Sequence, residues 1–204
     1  MNFELLNEHG KQVLSVLAEL TEQNTKKSLT LATALFPDEE WIPTETNIWV
    51  AKSRLPQKQR EPEKWQREMA QVRILTSRGS IAYFLPELEL KNEKHKRCPD
   101  LILNGEIVEM KTISGTRATL GGKFRLGYKQ GASLLHSWTF PAHFPQRHSV
   151  FIRLMSDIPV NSVKAKIAGV LKYHHDEGDF ICYFEKTSEL HTWTYEELRN
   201  LIGR

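Results

Sequence analysis

Pro99-Asp100-Leu101-Ile102-Leu103-Asn104-Gly105-Glu106-Ile107-Val108-Glu109-Met110-Lys111 is the stretch whose reading decides the fold. Asn104-Gly105 separates two apolar runs. That dipeptide is the strongest short-range hairpin signal, because a type I′ turn needs positive φ at both central residues. A two-residue turn sets the register: Leu103 opposite Glu106, Ile102 opposite Ile107, Leu101 opposite Val108, and Asp100 opposite Glu109, with facing Cβ atoms about 5 Å apart. Side chains alternate along a strand, so Lys111 falls on the face of Glu109. Two carboxylates and one amine are expected at one point. Facing carboxylates repel unless a positive charge lies between them. A divalent ion meets that need, and Mg²⁺ in particular takes oxygen ligands, keeps several waters and is commonly held by one or two carboxylates together with substrate phosphate. Lys111 is then placed to position the attacking water. The plainer alternative is that it only neutralises the pair at the sheet end.

Outward from the hairpin, both of its faces are apolar, with Ile102 and Ile107 on one and Leu101, Leu103, Val108 and Met110 on the other. That pattern predicts a sheet covered on both sides. Upstream, Glu63 to Arg78 carries Trp65, Met69, Val72, Ile74 and Leu75 at helical spacing, with Gly79 as its stop. Ser80 to Pro86 has strand composition, and the charged connection that follows sets Lys91, Lys94, Lys96 and Arg97 shortly before Asp100, where a phosphate backbone would approach. Downstream, Gly121 to Gly127 reads as a glycine-rich loop. It lacks the spacing of a P-loop or dinucleotide fingerprint, which argues against nucleoside triphosphate binding. A helix is expected from Tyr128 to Trp138, opened by Lys129 and Gln130 where the helix dipole and free N–H groups favour an anion. Arg125, Lys129 and Gln130 are the candidate phosphate contacts on this side. Ser149–Met155 reads as a buried strand, Val160–Tyr173 as a helix, Asp179–Glu185 as a strand, and Thr194–Ile202 as a closing helix capped by Thr194. From residue 63 the order is α-β-β-β-α-β-α-β-α, an α/β sandwich with a mixed sheet.

Residues 1–40 are read as a helical N-terminal extension packed on that domain. Phe3, Leu5, Leu6, Val13, Leu14, Val16, Leu17 and Leu20 form a stripe interrupted at His9-Gly10, so one helix or two is expected, ended by Pro37-Asp38. Residues 41–62, with Pro43, Pro56 and Pro62 among Lys52, Arg54, Lys58 and Arg60, read as a linker or exposed loop. The α/β domain proper is expected over 63–204. The chain has 204 residues, 40% hydrophobic and 26% charged, an ordinary soluble composition. A net charge of +3 and a pI near 8.8 permit a nucleic-acid partner without demanding one. No apolar run reaches the length of a membrane span and the first residues lack signal-peptide order, so a cytoplasmic location is expected. Cys98 and Cys182 are too few for a disulfide framework and are expected reduced and packed.

Pro99-Asp100 followed by Glu109-x-Lys111 on the next strand, in this order of elements, resembles the PD-(D/E)xK nuclease superfamily with its restriction-endonuclease-like core. In that superfamily the helix before the first strand often supplies a further acidic ligand, and Glu68 is the residue that fits. The longer run of Glu68-x-Ala70, Leu75, Gly79, Pro99-Asp100, Gly105, Glu109-x-Lys111 and Gln130 is similar to C-terminal toxin nucleases of the contact-dependent inhibition (CdiA) type, several of which cleave tRNA. The resemblance covers roughly residues 63–185. It implies a metal-dependent endonuclease in which Asp100, Glu109 and Glu68 hold Mg²⁺ or Mn²⁺, Lys111 positions water, and Lys94, Lys96, Arg97, Arg125, Lys129 and Gln130 contact the nucleic acid. A tRNA substrate and a cognate immunity protein are the narrower implications. The chain's own initial methionine and helical segment suggest a free-standing relative. Alternatives are a DNA endonuclease of the same fold and a non-catalytic nucleic-acid- or protein-binding module. His136, His143 and His148 offer a metal-free acid/base reading that structural histidines outweigh.

Overall fold

Asn104 and Gly105 both take positive φ, 51° and 85°, and the hairpin they close pairs Leu103 with Glu106, Ile102 with Ile107 and Leu101 with Val108. This is the register expected from a two-residue turn. Asn104 is pinned by more than its turn: its Oδ1 accepts from the Ile81 N–H at 2.8 Å and its Nδ2 donates to Ser80 Oγ at 3.2 Å. The turn therefore also aligns the strand that runs beside the hairpin.

The computed structural model describes residues 8–87, 99–137, 144 and 146–201. In chain order these hold helix α1 (Glu8–Leu35), strands β1 (Trp41–Glu45) and β2 (Ile48–Ala51), a 3₁₀ turn (Lys52–Arg54), α2 (Gln57–Arg60), α3 (Pro62–Thr76), β3 (Ala82–Phe84), β4 (Leu101–Leu103), β5 (Glu106–Ile113), α4 (Arg117–Ser137), β6 (His148–Leu154), α5 (Val160–Leu171), β7 (Asp179–Phe184), β8 (Glu189–Thr194) and α6 (Tyr195–Arg199). The strands form one eight-stranded sheet whose spatial order is the chain order. The pairs β2–β3, β5–β6 and β6–β7 are parallel, the rest antiparallel. The expected mixed-sheet α/β sandwich with an N-terminal helix is the architecture found.

Period-two alternation assigns the two faces. Leu101, Leu103, Val108 and Met110 turn toward α3 and pack with Trp65, Met69, Val72 and Leu75. Ile102 and Ile107 turn the other way, onto Leu31 and Ala32 of α1, Phe36 just beyond its end and Leu135 of α4. Ile113, Val150, Ile152, Phe180 and Cys182 continue that second face under α4, α5 and α6. Burying side chains of this size stabilises by about 1.5–3 kcal/mol each, which is why the two apolar faces of the hairpin dictate helices on both sides. Cys182 is a free, buried thiol within this core; Cys98 lies outside the described residues. Among the described residues, no helix is long and apolar enough to cross a membrane.

Three expectations need correction. Residues 41–62 are not a linker: β1 and β2 form an antiparallel hairpin, and β2 joins β3 as an inner strand of the sheet. Pro43 is tolerated because β1 is an edge strand, while Pro56 precedes α2 and Pro62 opens α3. Gly121–Gly127 is not a loop but the interior of α4, which starts at Arg117. The closing helix is only Tyr195–Arg199, preceded by an unexpected edge strand, β8. Its cap is as read, with Thr194 Oγ1 accepting from the Glu197 N–H at 3.0 Å and Glu197 returning the bond to the Thr194 N–H at 2.7 Å. Among its described residues the N-terminal extension holds one helix, α1, which runs on through His9-Gly10.

At the far end of β6, Arg153 clamps Glu185 through Nε and Nη2 at 2.6 and 2.7 Å. The hydrogen bond from Arg153 holds the Glu185 carboxyl below its ordinary value. A depressed carboxyl contributes stability above its unfolded pKa and loses it as pH falls through the folded value. Glu185→Gln should therefore cost under about 1 kcal/mol at neutral pH, the pair being partly solvated, and nothing once the carboxyl is protonated. Chemical denaturation of both proteins across the acid range checks this: a cost that persists in acid contradicts it.

Candidate active site

Beyond Leu101 the strand β4 ends, and Asp100 lies at a bend. A continued ladder would bring a backbone carbonyl to the Met110 N–H; instead the Asp100 Oδ2 accepts from it at 2.6 Å. Met110 turns both backbone groups to that edge, because N–H and C=O of one strand residue point the same way. Its carbonyl accepts from Lys111 Nζ at 3.2 Å. The same ammonium lies 2.5 Å from Glu109 Oε1. Glu109 is only 4% exposed. Asp100, Glu109, Lys111 and the Met110 carbonyl are thus brought together at the end of the hairpin.

Glu109 and Lys111 share the face of Ile107 and Ile113, which lies under α4. The helix approaches Glu109 closely at Gly127. A Cβ there would stand 3.1 Å from Val150 Cγ1 and 3.5 Å from Glu109 Cγ. Glycine at this position lets the helix seat against Val150 of β6, with Glu109 at ordinary contact distance.

Glu68 comes from α3, on the opposite face. It reaches the cluster around the finished end of β4, near enough to Asp100 for the two charges to interact. Burial pushes the Glu68 carboxyl above its ordinary value and Asp100 adds to the rise, whereas Arg54 and Lys64 oppose it. Arg54 Nη2 donates to Glu68 Oε2 at 3.0 Å. The arginine, which the composition of 41–62 presents as one of several surface cations, is 4% exposed. Nothing local in the sequence marks it out: its partners Glu68 and Leu85 lie 14 and 31 positions away.

The other expected residues are placed less centrally. Arg125 and Lys129 are exposed on α4, and their charges add to the burial that holds the His174 imidazole below its ordinary pKa. Lys129 and Gln130 lie in the middle of α4 rather than at its start, so an anion site at the helix N-terminus does not apply to them. Lys94, Lys96 and Arg97 lie outside the described residues, as do Lys91 and His143. His148 is fully buried, with its ring edge-on to Tyr128 and Nε2 3.7 Å from Asp176. Tyr128 donates to Asp176 at 2.6 Å. This is a core polar network beneath α4, not an acid/base pair open to RNA.

Among the described residues, no three acidic, imidazole or thiol groups form a ready-made cage. The donors that do gather are all hard oxygens: two hairpin carboxylates, a backbone carbonyl and the nearby Glu68. That set fits Mg²⁺ or Mn²⁺, which complete their shells with water and phosphate. No family model, curated protein or solved structure matches this chain.

Proposed function

We propose that this chain is a metal-dependent nuclease that hydrolyses phosphodiester bonds, with structured RNA such as tRNA as the first substrate to test and DNA as the second. The observation that supports this most is that Asp100 and Lys111 both bond the Met110 backbone at the end of a register-locked hairpin, with Glu109 on the same ammonium. Asp100, Glu109 and Glu68 would hold Mg²⁺ or Mn²⁺. A bound ion supplies Lewis acidity toward the scissile phosphate and offsets its developing charge. The Lys111 ammonium, anchored by Glu109, orients the attacking water and adds a positive charge beside the phosphate. Glu109, held by that same ammonium, keeps the lysine on its strand face. Arg125 and Lys129 present cations on the exposed side of α4 that suit a phosphate backbone, a contact that fixes register without reading sequence.

The test is incubation of the purified protein with tRNA and with supercoiled plasmid in Mg²⁺, in Mn²⁺ and in EDTA. Cleavage in the metal-containing reactions that EDTA abolishes is expected. Cleavage unchanged by EDTA would overturn the metal-dependent reading. Intact substrates with folded protein in every condition would favour a binding module.

A further inference from the structure

Arg54 is too deeply buried to touch a nucleic acid, yet its guanidinium bonds Glu68 and the backbone of Leu85, the residue that pairs with Asp100. The group lies over the Phe84 ring, 3.6 Å from its centroid. Nη1 donates to the Leu85 carbonyl at 2.6 Å and Nη2 to Glu68 at 3.0 Å. The Leu85 N–H in turn donates to the Asp100 carbonyl at 3.1 Å. One side chain therefore ties the carboxylate carried by α3 to the backbone segment paired with Asp100. It enters from the turn after β2, an element that carries no acidic member of the centre. A planar fork holds its two donors in fixed directions, whereas an ammonium on a flexible stem does not fix the geometry of the acceptors it bonds. We propose that Arg54 is a positioning residue that sets the Glu68 carboxylate against Asp100, making the β1–β2 hairpin and its 3₁₀ turn part of the active centre.

This inference rests on the nuclease reading above and is tested by a measurement that does not need cleavage. Mn²⁺ binding to the full chain is followed by isothermal titration calorimetry, with circular dichroism melts to establish folding. The proteins are wild type, Arg54→Met, Arg54→Lys, Glu68→Gln and the Arg54→Met/Glu68→Gln double variant. Groups that hold a metal ligand typically contribute 10- to 100-fold in affinity, so Arg54→Met should weaken Mn²⁺ by about that factor. Glu68→Gln should weaken it comparably, and the double variant should be no weaker than Glu68→Gln, because Arg54 acts through Glu68. Arg54→Lys keeps the charge but holds one acceptor, and should fall between wild type and Arg54→Met. Wild-type affinity in a folded Arg54→Met protein, or losses that add in the double variant, would overturn the positioning role. If Arg54→Met does not fold, undiminished affinity in folded Arg54→Lys overturns it equally. Failure of the wild-type protein to bind Mn²⁺ removes the nuclease reading and this inference with it. Wild-type binding that is indifferent to Arg54 removes the inference alone.

Discussion

Asp100→Asn should leave a folded protein whose cleavage of tRNA or plasmid falls at least about 100-fold. The substitution separates the two things Asp100 does. Its Oδ2 accepts the Met110 N–H at 2.6 Å, and an amide oxygen accepts equally well, so the hairpin end keeps its geometry. The negative charge is lost, and with it the attraction for a cation held between the hairpin carboxylates. Stability should stay within about 0.5 kcal/mol of wild type, since no cavity or unpaired donor is created. The charge repulsion with Glu68 also disappears. Single-turnover cleavage measured beside a urea denaturation curve decides the matter: wild-type rates at wild-type stability would show that Asp100 is only a strand-end cap.

Lys111→Ala should have two effects that pull in opposite directions on adding metal. Glu109 is 4% exposed and its carboxylate faces the ammonium at 2.5 Å. Removing one member of a buried ion pair leaves the other charge undercompensated, at a cost of about 3 kcal/mol. Cleavage should be lost as well. A divalent cation at the same place restores the missing positive charge, so Mg²⁺ or Mn²⁺ should raise the melting temperature of Lys111→Ala more than that of wild type. Calorimetric melts with and without metal check this. Equal shifts in both proteins would mean that the lysine and the cation do not share one electrostatic site.

The hairpin was legible because its determinants are local. Asn104-Gly105 can close few turns other than the one observed, and alternation then carries the register to Leu101 opposite Val108 and puts Glu109 and Lys111 on one face, while Asp100, at a bend beyond the ladder, is placed by its own bond to the Met110 N–H. The helix α4 was misread for an equally physical reason. Each glycine in a helix interior costs about 1 kcal/mol relative to alanine, and Gly121, Gly122 and Gly127 within seven residues argue locally for a loop. Packing against β5 and β6 outweighs that local preference, and at Gly127 the missing side chain is what allows the approach to Val150 and Glu109. The prolines of 41–62 misled similarly, since an edge strand and two helix starts use the same residue that breaks a helix interior. Arg54 was invisible because its meaning depends on partners brought near only by the folded sheet. Strand β8, with His191 and Trp193 on one side and Leu190 on the other, is half-exposed on both faces and so lacks a clean alternation.

The strand order β1 to β8 has a kinetic consequence. Every strand's neighbour in the sheet is its neighbour in the chain. No strand has to insert between two that are already placed, so each can add to the open edge of the sheet formed before it. Arg54, Glu68, Asp100, Glu109 and Lys111 all fall within the first five strands of that progression. A chain growing from its N-terminus has the residues of the proposed metal site in hand before β6, β7 and β8 are added.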